Sequence, residues 1–416
     1  MSELSPQPRG AARRRFLQTL GVAGVTPAAA AGAAAQAPAK LKVGLVGCGG
    51  RGSHLARRAK ALGDGGYPVE VTAVADVYQP RLERLSVALG AKAYPNLEAM
   101  LGGTALDGVI IATPDRLHVH HALAAVRAGK DVYCEKPLTH WAQFDLLKQL
   151  VAEARQRKTV FQVGAQWVSD PIWTQAAQEI QKGAIGKVLH AQTGYFRRGD
   201  SGERGMPVDD PQAQPGRGLD WDAFQADAPR REFSVSRFFQ WRMYLDYSGG
   251  PITDLYPHPL TQIMKALGPP RMPSRVVAVG GRYLYDGGRD VPDTSDLLIE
   301  YPGGPSIAVL GTIGNSTGMD AVIRGSEGTL TFDQSFGGIV LRSLPGARGA
   351  NRTLNSQRYE DNHIRDWLEC IRTRQAPVGD LELGFAVQVP LIMAMRSLLE
   401  RKVAVWDAER EEIRMV

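Results

Sequence analysis

From Leu41 onward the chain alternates short apolar runs with longer stretches in which apolar positions recur every three or four residues. Runs at Leu41–Val46, Val69–Ala75, Gly108–Ala112, Asp131–Cys134 and Thr159–Val163 predict strands, and the stretches Ser53–Leu62, Pro80–Leu89, His118–Ala128 and Trp141–Gln156 predict helices between them. A strand-helix alternation of this kind predicts a parallel, doubly wound sheet with helices on both faces. Further along, Val188–Phe196, Arg275–Tyr283, Ser295–Tyr301, Ser306–Gly311, Met319–Arg324 and Gly338–Arg342 read as strands, and helical spacing returns at His363–Arg374 and Gly384–Lys402. The expectation is an α/β Rossmann domain over residues 40–164, followed by an α+β domain over residues 165–416 that is rich in sheet and ends in helices.

Residues 1–39 do not follow this pattern. Arg13, Arg14, Arg15, Phe16 and Leu17 form a twin-arginine pattern, followed by a mildly apolar run of Ala and Gly and by small residues near Ala33 to Ala37 suited to cleavage. The segment predicts an export signal and a periplasmic or secreted protein. Pro27 and the many Ala and Gly residues make the run too weakly apolar for a stable membrane anchor.

The 416 residues are 44% hydrophobic, enough for two sizeable cores. Cleavage near Ala35 removes four arginines and one glutamate, so the formal charge drops from +6 to +3, which is no nucleic-acid footprint. Three cysteines, Cys48, Cys134 and Cys370, lie far apart without metal-ligand spacing and imply no disulfide framework.

Gly47, Gly49 and Gly52 complete G-x-G-x-x-G between the first strand and the first helix, with Gly50 and Arg51 inside the motif. Such a turn lets backbone approach a pyrophosphate and sets the phosphate on a helix N-terminus. Asp76 closes the second strand 24 positions after Gly52, where a carboxylate accepts hydrogen bonds from ribose hydroxyls and repels a 2′-phosphate. NAD is therefore favoured over NADP, although the Arg51 guanidinium would soften that repulsion.

The segments Ala112-Thr113-Pro114-Asp115-Arg116-Leu117-His118 and Ala128-Gly129-Lys130-Asp131-Val132-Tyr133-Cys134-Glu135-Lys136-Pro137-Leu138 resemble the Gfo/Idh/MocA oxidoreductases, Glu-Lys-Pro after a strand being the most specific element. Further likeness runs through Gly183–Val188, Ser326–Leu330 and the final helices, and Leu219–Asp222 with Trp241-Arg242 resembles the exported branch. The resemblance implies a second domain built on a large, open, mostly antiparallel sheet that packs against the cofactor site and often mediates homo-oligomers. It also implies that Thr113, Pro114, His118, Glu135 and Lys136 lie beside the dinucleotide, and that Lys136 and a later Asp-x-x-x-His, here Asp254 and His258, carry the chemistry.

Oxidation of a secondary alcohol needs a base for the hydroxyl proton and a positive or hydrogen-bonding group on the developing alkoxide. His258 suits the base, Lys136 the alkoxide, and Asp254 the substrate or the imidazole. Spacing of four would set Asp254 and His258 on one helix face, while Pro257 and Pro259 predict a turn or kink there. Thr261 stands where many relatives carry an acid, which bears on substrate contacts. His118, His120 and His121 lack the adjoining ligands of a metal site, so no metal is expected.

Between Gly194 and Gly249, Tyr195, Arg197, Trp221, Arg237, Trp241, Arg242 and Tyr247 mix aromatic faces with arginines, a combination suited to sugars. The expected activity is NAD-dependent oxidation or reduction of a secondary hydroxyl on a sugar, glycoside or polyol, with the cofactor tightly bound because free NAD is scarce outside the cytoplasm. The alternative is an NAD-dependent glycoside hydrolase working by transient oxidation, elimination and re-reduction. Retention of Lys136, Asp254 and His258 argues against a non-catalytic sensor.

Overall fold

The structure is a computed structural model that describes residues 39–199, 206–285, 287–332, 338–347, 349, 351–355 and 362–416. The twin-arginine segment lies outside them.

The first half runs β1 (Leu41–Val46), α1 (Gly50–Asp64), β2 (Val69–Ala75), α2 (Gln79–Leu89), β3 (Lys92–Tyr94), α3 (Leu97–Gly103), β4 (Gly108–Ile111), α4 (Asp115–Arg127), β5 (Asp131–Glu135), α5 (Phe144–Arg157) and β6 (Phe161–Gly164). All six strands pair in parallel, in the order β3-β2-β1-β4-β5-β6. The order reverses between β1 and β4, and a crevice opens at the carboxyl ends of those strands, where such sheets bind ligands. Strands β4, β5 and β6 are buried along their whole length, the consequence of helices on both faces.

A 3₁₀ turn at Gln166–Ser169 leads into α6 (Pro171–Gln181), β7 (Val188–Arg198), and the short helices α7 (Trp221–Gln225), α8 (Val235–Phe239) and α9 (Pro251–Asp254). Next come α10 (Pro257–Leu267), β8 (Arg275–Gly281), β9 (Thr294–Glu300), β10 (Ser306–Thr312), β11 (Gly314–Asn315), β12 (Ala321–Gly325), β13 (Gly328–Phe332), β14 (Gly338–Ser343) and β15 (Arg352–Asn355). The chain ends in α11 (Asn362–Thr373), α12 (Leu381–Glu400), β16 (Ala404–Asp407) and β17 (Glu412–Met415).

The second sheet follows the order β15-β14-β13-β12-β7-β10-β9-β8-β16-β17, with β11 on the far end of β7. Only β7 and β10 pair in parallel; the other ladders are antiparallel. One face packs on α6, α10 and α12. The opposite face carries a cross-strand apolar row, Val277 beside Leu298 beside Ala308, with Val279 nearby, and Val279 and Leu298 are each about 60% exposed.

Helix α12 is the one helix among the described residues long and apolar enough to cross a membrane, but 83% of its apolar window is buried, and it serves as a core helix of the fold. Sequence periodicity missed β3, α3, α6, β13 and the terminal hairpin β16–β17. All of these but the 11-residue α6 are short, and the hairpin joins the sheet by adding to β8.

Candidate active site

The glycine loop is folded on itself. Gly47 has φ +94°, and a side-chain carbon there would lie 2.6 Å from the Ala112 backbone, so the loop approaches the end of β4 as only glycine permits. A side chain at Gly52 would run into the Gly47 carbonyl, which fixes the third glycine by packing. Helix α1 begins at Gly50, and its first N–H groups, which have no partner within the helix, face the crevice. A cleft of about 700 Å³ extends from Asn96 to Glu98, past Asp76 and the glycine loop, to Thr113, Pro114, Trp241 and Arg242. Its length, its side-chain-free cradle and its strand-end carboxylate fit an extended dinucleotide.

Several expected contacts take other roles. Gly47, Gly49, Gly50, Arg51, Asp76, Thr113 and Pro114 line the cleft. His118 does not: it is 1% exposed, with its ring nitrogens 2.6 Å from the Pro137 carbonyl and 2.8 Å from the Thr113 carbonyl, so it is a strut joining two loops. Glu135 is also buried and accepts from Arg51 Nε at 2.7 Å. Arg51 thereby faces Glu135 and Gln166 and is not the arginine that softens repulsion at Asp76. Asp76 accepts from the backbone N–H of Cys48 at 2.5 Å and of Tyr78 at 2.8 Å, so it ties the first two loops together as well as facing the cleft; burial raises its pKa. The guanidinium beside the glycine loop belongs to Arg81, whose Nη1 is 3.5 Å from where a Gly49 side chain would begin.

Behind Arg242 at the other end of the cleft, Lys136, which does not itself line the cleft, donates from Nζ to Asp254 twice, to the backbone carbonyl at 2.5 Å and to Oδ1 at 2.7 Å. An ammonium has three N–H groups, so one remains for another oxygen. Arg242 Nε donates to the same Oδ1 at 3.0 Å and places its guanidinium at the cleft wall. Burial raises the Asp254 pKa, but Arg242 and Lys136 outweigh it and hold the carboxyl well below the usual range.

Asp254 and His258 do not share one continuous helix. Helix α9 ends at Asp254, and α10 starts at Pro257, whose missing N–H is harmless in a first turn. The anticipated proline break thus falls between the two residues. His258 packs against Trp167 with ring centroids 5.1 Å apart, and its Nδ1 is buried without a hydrogen-bond partner. Burial, then the Lys136 charge, depress its pKa and keep the imidazole neutral. Thr261 is buried and returns its hydroxyl to the Pro257 carbonyl at 2.5 Å, so it is spent inside the helix.

Asp115, at the start of α4, escaped sequence reasoning. It is 1% exposed; Oδ2 accepts from Ser248 Oγ at 3.1 Å, and Oδ1 has no partner. Burial, then the Asp254 charge, raise its pKa to about 7. Its only sequence signal was its place after Thr113-Pro114, where it reads as an ordinary first-turn acid. Trp167 left no signal.

The aromatic stretch is corrected more strongly. Trp221, Phe224, Phe238, Phe239, Trp241 and Tyr247 form a small third core against Tyr78 of the β2–α2 loop, and Tyr247 is 0% exposed. Arg237 pairs with Asp246, so most of these residues are packing, and the edge of the cluster at Trp241 and Arg242 reaches the cleft wall. Tyr195 packs on the main core. Of the neighbouring histidines, His120 serves the same interface, 3.2 Å from Asp227, which also accepts from Arg116, while His121 stays within the first domain, 3.2 Å from the Thr113 hydroxyl.

Residues 41–165 match the family profile of the oxidoreductase family with an NAD-binding Rossmann fold, and residues 219–331 match the GFO/IDH/MocA C-terminal domain, together more than half of the chain. The chain belongs to the Gfo/Idh/MocA family. It is 31% identical over 151 residues to inositol 2-dehydrogenase 3 of Saccharopolyspora erythraea, covering 36% of this chain and 44% of that protein. It is 34% identical over 152 residues to inositol 2-dehydrogenase of Salmonella typhimurium, covering 36% and 44%. The matched stretch thus spans less than half the length of these curated relatives. Fold likeness is broader: a solved NAD-binding oxidoreductase of Klebsiella pneumoniae superposes with TM-score 0.67 at 22% identity, covering 88% of this chain and 98% of that one. A levoglucosan dehydrogenase in complex with NADH and L-sorbose gives 0.68 at 18% identity, covering 91% and 99%. The Rossmann domain of this family member binds NAD.

Proposed function

We propose that the protein is an exported oxidoreductase that uses tightly held NAD to oxidise or reduce a secondary hydroxyl of a sugar, glycoside or polyol. The observation that carries this reading is the buried Lys136–Asp254–Arg242 cluster at one end of the dinucleotide cleft, with His258 neutral beside it. When bound, NAD supplies the acceptor for the two electrons lost by the carbinol carbon. Asp254 orients the Lys136 ammonium, and the remaining N–H of Lys136 meets the substrate oxygen and stabilises its developing negative charge. His258 offers an unpartnered nitrogen that accepts the hydroxyl proton. The names of the relatives, inositol 2-dehydrogenase and levoglucosan dehydrogenase, support a hydroxyl-rich substrate.

Export rests on Arg13 to Leu17 and accords with a cofactor loaded before translocation. The exposed Val277, Val279 and Leu298 on one sheet face support a homo-oligomer built sheet face to sheet face.

The deciding experiment is purification without added cofactor, release of NAD(H) by denaturation, and a panel of polyols, sugars and glycosides. Oxidised product with matching reduction of cofactor or a second sugar is expected; released aglycone without net redox change would replace this reading with the hydrolase. Lys136→Met and His258→Ala should each lower turnover by about 10²–10⁴-fold with cofactor binding retained. Unchanged turnover would remove both residues from the mechanism.

A further inference from the structure

At the Asp76 end of the cleft two arginines of α2, Arg81 and Arg84, stand three residues apart on one helix face. Arg81 reaches over the glycine loop, with its guanidinium carbon 5.1 Å from the centroid of the Phe239 ring. A pair of guanidinium groups beside a ribose-binding carboxylate is an arrangement that receives a 2′-phosphate. By charge alone it would oppose the NAD preference that Asp76 implies. Asp76 is also partly committed, since each of its oxygens already accepts a backbone N–H.

A third carboxylate resolves the conflict. Asp209, from the segment between β7 and α7, places Oδ2 2.7 Å from Arg81 Nε and 3.6 Å from Arg84 Nη2. The Arg81 and Asp209 side chains are each only 18% exposed, so the contact is partly shielded from water. The segment is anchored on both sides of α2's start: Gln79 N–H donates to the Gly218 carbonyl at 2.9 Å and Asp220 N–H to the Val77 carbonyl at 3.0 Å.

We propose that Asp209 is a specificity residue for the cofactor: its carboxylate occupies the Arg81–Arg84 pair and so denies those guanidinium groups to the 2′-phosphate of NADP. Selection of NAD is then made jointly by Asp76 from the Rossmann strand and Asp209 from a segment more than a hundred residues away. Both a phosphate dianion and Asp209 need the same arginines, and the tethered carboxylate is always present. The inference rests on the reading of the cleft as a dinucleotide site.

The test uses the full chain stripped of cofactor, as wild type, Asp209→Asn and Asp209→Ala, with NAD⁺ and NADP⁺ affinities from titration calorimetry and ligand-induced shifts in melting temperature. Wild type should bind NAD⁺ more tightly than NADP⁺. Both variants should tighten NADP⁺ by about tenfold or more, the scale of a charge-assisted bidentate contact, and leave NAD⁺ nearly unchanged. Adding Arg81→Ala and Arg84→Ala to Asp209→Asn should erase the gain. Retained NAD⁺ binding with no gain for NADP⁺ in either variant overturns the proposal, as does a wild type that binds both equally. Failure of wild type to bind either nucleotide overturns the cleft assignment itself, and the proposal with it.

Discussion

Asp115 and Asp254 lie in one buried electrostatic environment and are driven to opposite ends of the carboxylate range. Asp254 collects both nearby cations, Lys136 and Arg242, and stays ionised, whereas Asp115 has a single hydroxyl partner and the negative charge of Asp254 beside it. With its pKa raised to about 7, Asp115 is protonated in the folded state at pH values where the unfolded chain has already lost that proton. Folding therefore binds the proton, and the contribution to stability is complete below the ordinary carboxylate value and lost as pH rises toward 7. Asp115→Asn keeps the shape and the Ser248 contact without a titrating group. The variant should gain melting temperature relative to wild type progressively from pH 4 to pH 7; a constant difference across that range would refute the shift.

The insertion between β7 and α9 illustrates how an element is held when it has little regular structure of its own. Helices α7 and α8 span five residues each, too short to stand alone, and their stability derives from the aromatic cluster around Tyr78. Tyr78 is 5% exposed and meets Phe238 and Phe239 edge-on at 5.6 and 5.4 Å. Arg116 and Gln143 bind Asp227 from the Rossmann side and close the second edge of the interface. Tyr78→Ala removes the residue on which the cluster is built and should destabilise the insertion by about 3 kcal/mol. Limited proteolysis should then cut within residues 206–247 faster than in wild type, with NAD binding weakened because Trp241 and Arg242 line the same cleft. Equal cleavage rates would show that the insertion is held elsewhere.

At the scale of the molecule, buried histidines set the acid limit. His140 and His363 are 1% and 3% exposed, and burial, followed by the Arg116 charge in His140 and opposed by the Val163 carbonyl in His363, leaves each pKa at about 3. The folded protein keeps them neutral while the unfolded chain takes up protons below the ordinary imidazole value. Stability present above about pH 6.5 is lost as pH falls toward 3, at up to about 1.4 kcal/mol per pH unit for each histidine. Urea denaturation at pH 7, 6 and 5 should give steadily decreasing unfolding free energies, and replacing His140 and His363 by Gln should flatten that slope. A slope unchanged by both replacements would assign the acid sensitivity to carboxylates.

Periodicity along the chain determined the parallel sheet, because β1, β2, β4 and β5 pack on helices α1, α2 and α4 that lie next to them in the chain. It also determined the glycine loop and the strand-end Asp76, whose backbone demands are met by adjacent residues, and the Glu-Lys-Pro turn was legible by its resemblance. Tertiary structure alone decided which arginine stands at the ribose end, since Arg51 and Arg81 are equally basic in sequence and differ only in meeting Glu135 or Asp209. It likewise decided that Asp254 answers to Lys136, 118 residues away, that Asp115 belongs to the same buried charge cluster, and that the aromatic stretch is core. The physical reason is common to all of these: a charge or ring takes its role from what desolvates and partners it, and those partners come from distant segments that only the folded chain brings together.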